Sequence, residues 1–130
     1  MANEAVCIET PTYFTQYTVA DGAGIAKGTL LALSSDPNIA TAGAANDVFA
    51  GIAWEEKVAN DGVTQIGAAL NGTWDIKSQT LLTLGSIVSL SGANLVKAAT
   101  AGELLTGAAF GKVLETASIN EVVRIRLGLV

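Results

Sequence analysis

The residues that carry most enzyme chemistry are nearly missing from this chain. It has no histidine, which removes the commonest general base and the commonest metal ligand. Cys7 is its single cysteine. It therefore has neither a Cys–His partner nor an intrachain disulfide, and reads as a free, packed thiol. No Gly-x-Ser-x-Gly elbow marks any serine. Gly22-Ala-Gly24-Ile-Ala-Lys27-Gly28-Thr29 has the composition of a phosphate loop. Lys27 precedes Gly28 instead of following it, and no helical pattern comes next, so a tight loop between strands is the better reading. Glu55 and Glu56 are adjacent carboxylates. On a strand they point to opposite faces and form no acid–base pair. Asp36, Asn38 and Asp47 supply loop oxygens without the spacing of a calcium loop. These residues predict a structural protein, not an enzyme, with no catalytic site, no cofactor and no metal.

The bulk composition says what such a protein must do with its surface. Half of the 130 residues are hydrophobic, yet only 5% are aromatic, and 14 are glycine. Charged residues make up 15%, under the roughly 25% of ordinary soluble domains. Mean hydropathy is +0.45. No run of about 18 apolar residues exists, so no transmembrane helix is predicted. The surplus apolar surface instead predicts burial in a homo-oligomer. Net charge is −5, and the seven basic residues are scattered. Without a basic stripe, neither nucleic acid nor an anionic membrane is an expected partner. The first residues lack the charged and apolar regions of a secretory signal, which predicts synthesis and folding in the cytoplasm.

Short strands between turn signals predict an all-β fold with at most one short helix. Residues 1–11 read as an extended N-terminal arm, since Pro11 cannot donate to a ladder and Thr10 before it is pushed to extended geometry. Residues 12–130 read as the barrel domain. Its strand candidates are Tyr13 to Val19, Gly28 to Leu33, Asp47 to Trp54, Thr64 to Leu70, Thr73 to Ile76, Gly85 to Leu90, Leu95 to Ala98, Gly107 to Glu115 and Glu121 to Leu129. Asp21-Gly22-Ala23-Gly24, Asp36-Pro37-Asn38 and Asn60-Asp61-Gly62 separate them. Asn71-Gly72 between two strand-like runs predicts a type I′ hairpin. That turn is preferred over the glycosylation sequon Asn71-Gly72-Thr73. In the last strand Val123, Ile125 and Leu127 alternate with Arg124 and Arg126, giving one buried and one charged face. The helix is placed at Ala99 to Leu105, with Thr100 as cap and Glu103 three residues later.

One weak pattern occurs twice. Gly28 to Ser34, Ala40 to Gly43 and Ala50 to Ala53 are answered by Gly85 to Ser91, Ala99 to Gly102 and Thr106 to Ala109. The duplication predicts two supersecondary units, related by a pseudo-twofold and sharing one small barrel. A glycine at the head of each unit allows a tight bend. Trp54 and Trp74 are the largest side chains. Either would fill a barrel core or anchor a subunit interface.

The order of several motifs along the chain resembles the head decoration, or capsid cement, proteins of tailed bacteriophages. They are Ile25-Ala-Lys-Gly-Thr-Leu-Leu-Ala-Leu33, the Gly-Ile-Ala step within Ala50 to Ala53, Asn71-Gly72-Thr73-Trp74, Gly85-Ser-Ile-Val-Ser-Leu90, and Phe110-Gly-Lys-Val-Leu-Glu115 followed by Val122-Val-Arg-Ile-Arg-Leu127. The resemblance covers about residues 12–130. It implies a β-barrel of the tulip type and trimers on the outer surface of a virion's capsid. It implies that each trimer bridges neighbouring major capsid proteins and stabilises the shell. It also implies that the arm reaches onto the capsid, through Ala5, Val6, Cys7 and Ile8, with Tyr13, Phe14 and Tyr17 at its root. The family has no catalytic residues to carry over. Two other readings stand beside it. One is a β-rich tail, spike or fibre subunit. The other is a small carrier or ligand-binding barrel, for which no lysine sits in a predicted hairpin turn.

Overall fold

Runs rich in Val, Ile, Thr and small apolar residues become strands, and the Gly-, Asn- and Asp-rich breaks become their connections. The computed structural model describes residues 3–35 and 39–128, and the predicted Asp36-Pro37-Asn38 turn lies outside them. The described residues form eleven strands and one helix. In chain order they are β1 (Val6–Glu9), β2 (Phe14–Thr18), β3 (Leu30–Ser35), β4 (Ile39–Ala42), β5 (Phe49–Ala53), β6 (Gln65–Ala69), β7 (Thr73–Ser78), β8 (Ile87–Gly92), β9 (Leu95–Ala98), α1 (Ala101–Thr106), β10 (Gly111–Val113) and β11 (Val122–Leu127). The all-β prediction holds, and so does the helix. Thr100 and Glu103 form its capping box, and Gly107 ends it in a left-handed conformation.

The strands close into two five-stranded barrels rather than one. The first runs β2-β4-β3-β5-β6, and the second runs β7-β9-β8-β10-β11. The two orders are the same once β2 is matched to β7 and each later strand to its counterpart. In each barrel the first strand pairs in parallel with the third, Thr18 with Ile39 and Lys77 with Leu95. Each carries one isolated bridge, Ile25 to Lys57 and Leu82 to Ala117. The duplicated pattern is therefore structural, but each copy builds its own barrel. Gly28 and Gly85 occupy matching bends with φ of +92° and +86°, where a residue with a Cβ is strained. The other two matched segments were misaligned. Helix α1 is inserted between β9 and β10, so β5 corresponds to β10 and not to Thr106–Ala109.

Asn71-Gly72 is not a hairpin. β6 and β7 on either side of it belong to different barrels and do not pair. The pair is instead the link that carries the chain from one barrel to the other. Gly72 has φ of +100°, and a Cβ there would lie 2.8 Å from the Glu9 carbonyl oxygen. The Asn71 carboxamide oxygen accepts the Thr12 and Tyr13 backbone N–H groups, and its amide donates to the Thr12 hydroxyl. The same residue types that make a type I′ turn here make a crossing, because tertiary pairing decides where each strand finds its neighbour.

The two barrels share a packed seam. In β3, Leu31 belongs to the first barrel's own core, while Leu30 and Ala32 join the larger core that includes the second barrel. Strands buried on both faces read as continuous apolar runs, which accounts for Leu30-Leu31-Ala32. Phe49 stacks on Phe110 with centroids 3.9 Å apart. The buried Asn94 accepts the Leu30 N–H across the seam. β1 lies along the front half of one edge of β7, whose rear half pairs with β9.

Candidate functional site

Period-two alternation along β2 turns Phe14 and Gln16 outward and Tyr17 into the core. Across the ladder Gln16 faces Gly67 of β6. Gly67 has no side chain, so bare backbone forms the floor between them. Trp54 and Glu55 follow directly on β5. The Trp54 N–H donates to the Gly67 carbonyl at 2.9 Å, and the Gly67 N–H donates to Glu55 Oε1 at 2.5 Å. Phe14, Gln16, Trp54, Glu55 and Gly67 together enclose a cleft of about 260 Å³ on the outer face of the first barrel.

An aromatic chain backs this cleft. The rings of Phe14 and Trp54 are 5.2 Å apart, and Trp74 meets Trp54 edge to face at 6.0 Å. Lys27 Nζ sits 4.7 Å from the centroid of the Trp54 ring, within cation–π range. Glu55 is exposed, and among the described residues no Lys or Arg forms an ion pair with it. Phe14 is 48% exposed, so the cleft presents aromatic surface beside an accessible carboxylate.

The structure brings some predicted site residues together and separates others. Phe14, Trp54 and Trp74 meet, although Trp74 is buried and Trp54 only partly so. Tyr17 lies in the first barrel's core, where its hydroxyl donates to the Ala50 carbonyl at 2.6 Å and burial raises its pKa. Ala5 is buried, and its N–H donates to the Gly28 carbonyl. Cys7 is half-buried against the core, with its thiol donating to the Glu9 carbonyl. Val6, Ile8 and Tyr13 are exposed. Gln16 and Gly67 are the cleft residues that sequence reasoning missed, and Glu55 was weighed only as half of an acid–base pair. Their signal was weak: a glycine inside a strand run marks a close approach or an opening, but only the fold places it opposite Gln16.

A second polar cluster closes one end of the first barrel. The side chain of Lys57 is fully buried. Its ammonium donates to the Asp21 carbonyl at 2.7 Å, the Val58 carbonyl at 3.1 Å and Asp61 Oδ1 at 3.0 Å, with Asp21 Oδ1 at 3.4 Å. The Val63 N–H, joined by the Val58 N–H and by Lys57, holds the Asp61 carboxyl below the ordinary aspartate range. Every ammonium direction is taken up by protein oxygen, which makes Lys57 a staple. Among the described residues no group of three or more His, Cys, Asp or Glu side chains gathers as a metal site.

No protein-family model matches the chain, and no curated relative matches it. Its fold is similar to that of a solved structure, the N base of head fiber gp8.5 in bacteriophage phi29, with a TM-score of 0.60 at 16% identity. The match covers 90% of this chain and 96% of the other.

Proposed function

We propose that the chain is a structural component of a phage head, bound to the outer surface of the capsid as a trimer and stabilising the shell by bridging major capsid proteins. The observation that carries this reading is the likeness in fold to a phage head fiber base, which covers 90% of this chain and 96% of that one. Exposed apolar surface supports it. Leu81, Leu84, Ile119 and Val122 flank the Leu82–Ala117 bridge and the start of β11, each between 61% and 65% exposed. Apolar surface of this kind belongs in an interface. A protein that binds only the assembled shell stabilises it by mass action, even when each contact is modest.

Purified protein mixed with undecorated, expanded capsids should co-sediment at near-stoichiometric occupancy. Absence of binding to the matching capsid would overturn the reading. The arm's part is tested by Val6→Ser with Ile8→Ser, since both side chains point outward from β1. Capsid binding should weaken while the melting temperature holds. Deleting the segment is a poorer test, because Ala5 is part of the core and β1 covers the edge of β7.

A second reading, the base of a head fibre, is favoured by the name of the structural neighbour. Size-exclusion chromatography with light scattering separates the two. A compact trimer fits decoration, and an elongated rod fits a fibre.

A further inference from the structure

The internal repeat gives the first barrel's cleft a counterpart on the outer face of the second barrel. Gly67 pairs with Gln16 as Arg124 pairs with Asp75. Glu55 accepts the Gly67 N–H as Glu115 accepts the Arg124 N–H. The Trp54 N–H donates to the Gly67 carbonyl as the Leu114 N–H donates to the Arg124 carbonyl. The position that is bare backbone in the first barrel therefore carries a guanidinium in the second. There Arg124 Nε lies 3.1 Å from Asp75 Oδ1 and a second nitrogen reaches Oδ2. Asp75, and less strongly Glu115, raise the Arg124 pKa.

We infer that the cleft of Phe14, Gln16, Trp54, Glu55 and Gly67 receives an arginine side chain from a partner polypeptide, taking the place that Arg124 occupies in the second barrel. The lining fits a guanidinium better than an ammonium. A planar guanidinium stacks on aromatic faces and is weakly hydrated. Phe14 and Trp54 stand where the second barrel has Thr73 and Leu114, so stacking replaces part of what Asp75 supplies. Gln16 stands in for Asp75 and keeps a polar rim, while Glu55 supplies the negative charge. Lys27 lies over the Trp54 ring and is not among the residues that line the cleft. The chain's net charge of −5 favours a basic partner. This inference does not depend on the capsid reading, because the isolated protein suffices to test it.

The probe is N-acetyl-arginine amide, titrated into the full chain while the Trp54 indole N–H resonance is followed by NMR. The citrulline analogue, which has the same shape without the charge, is the control. Arginine should shift the resonance saturably, with citrulline about tenfold weaker or worse, as expected for loss of the cation–π and ionic contacts. Gly67→Arg should plug the cleft from within and abolish the response. A Cβ there would lie 3.1 Å from Glu55 Oε1 and 3.6 Å from Gln16 Nε2 and Glu55 Cδ, so the flexible end of Glu55 has to shift slightly to admit it. Glu55→Gln, which leaves the cleft open, should weaken arginine severalfold and leave citrulline unchanged; it carries the test if Gly67→Arg does not fold. Equal responses to arginine and citrulline would overturn the proposal. So would a folded Gly67→Arg that still responds, an unmoved Trp54 resonance, or a neutral disaccharide that shifts it more than arginine does.

Discussion

The two barrels share one strand order and differ in how they are filled. The first barrel's own core sets four alanines, Ala40, Ala50, Ala53 and Ala68, among Tyr17, Val19, Ile25, Leu31 and Ile66. The second packs Trp74, Ile76, Leu82, Leu90, Val96, Val123 and Ile125. Where the first is closed at one end by buried Lys57, the second has Ala117 at the matching bridge position. The first barrel's loops there are longer and bring in Asp21 and Asp61 to hold the ammonium. The second barrel needs no such acids and leaves apolar Leu81, Leu84, Ile119 and Val122 outside. One topology can thus be completed by a polar staple or by aliphatic packing. The outer faces differ as well, one carrying an open cleft and the other the Arg124–Asp75 pair.

Substitutions can test how far that contrast goes. The largest effect is expected at Trp74, which is 2% exposed and packs in the second barrel's core. Trp74→Ala should destabilise by about 3–5 kcal/mol. Trp54→Ala, at a partly buried position, should have a clearly smaller effect. Chemical denaturation of both variants checks the order, and equal losses would mean that the two tryptophans share one core role.

Next comes Lys57→Met, which removes the staple and leaves oxygens facing a methyl group. Breaking a buried ion pair has an effect of about 3–5 kcal/mol. Asp21 and Asp61 are partly solvated here, so about 2 kcal/mol is the expectation. If the first barrel opens separately, the amides of β5 and β6 should lose hydrogen-exchange protection before those of β8 and β11. Uniform loss would show the shared seam makes the pair a single cooperative unit.

Gly72→Ala probes the link between the barrels. It forces a Cβ to within 2.8 Å of a carbonyl at positive φ, and should destabilise by more than about 1 kcal/mol. The smallest effect concerns pH. The folded Asp61 pKa is depressed, so its contribution is present above the unfolded value of about 3.9 and is lost as pH falls through the folded value. Melting curves of the parent and Asp61→Asn should differ at pH 6 and converge as pH falls through the folded Asp61 pKa. A gap that persists in acid would assign the effect to the turn's geometry instead of its charge.

Much of this fold was legible in local chemistry. The alternation of Val123, Ile125 and Leu127 with Arg124 and Arg126 is the burial pattern of β11, and the Thr100–Glu103 capping box predicted α1 because both signals act within a few residues. β4 was missed because Ile39–Ala42 is short and alanine-rich. β1 was read as an arm because four residues before Pro11 carry no sign of the partner they meet on β7.

The sequence by itself determined that the chain is β-rich, that a unit headed by Gly28 recurs at Gly85, and that His-based chemistry is absent. Those properties depend on side-chain type and on neighbours close along the chain. Only the tertiary structure decided that there are two barrels, that Asn71-Gly72 joins them, and that Gly67 opposite Gln16 leaves a cleft where the matching position of the second barrel carries Arg124. Each of these turns on which strand edge meets which, and such pairings link residues far apart in the chain, beyond the reach of a local pattern.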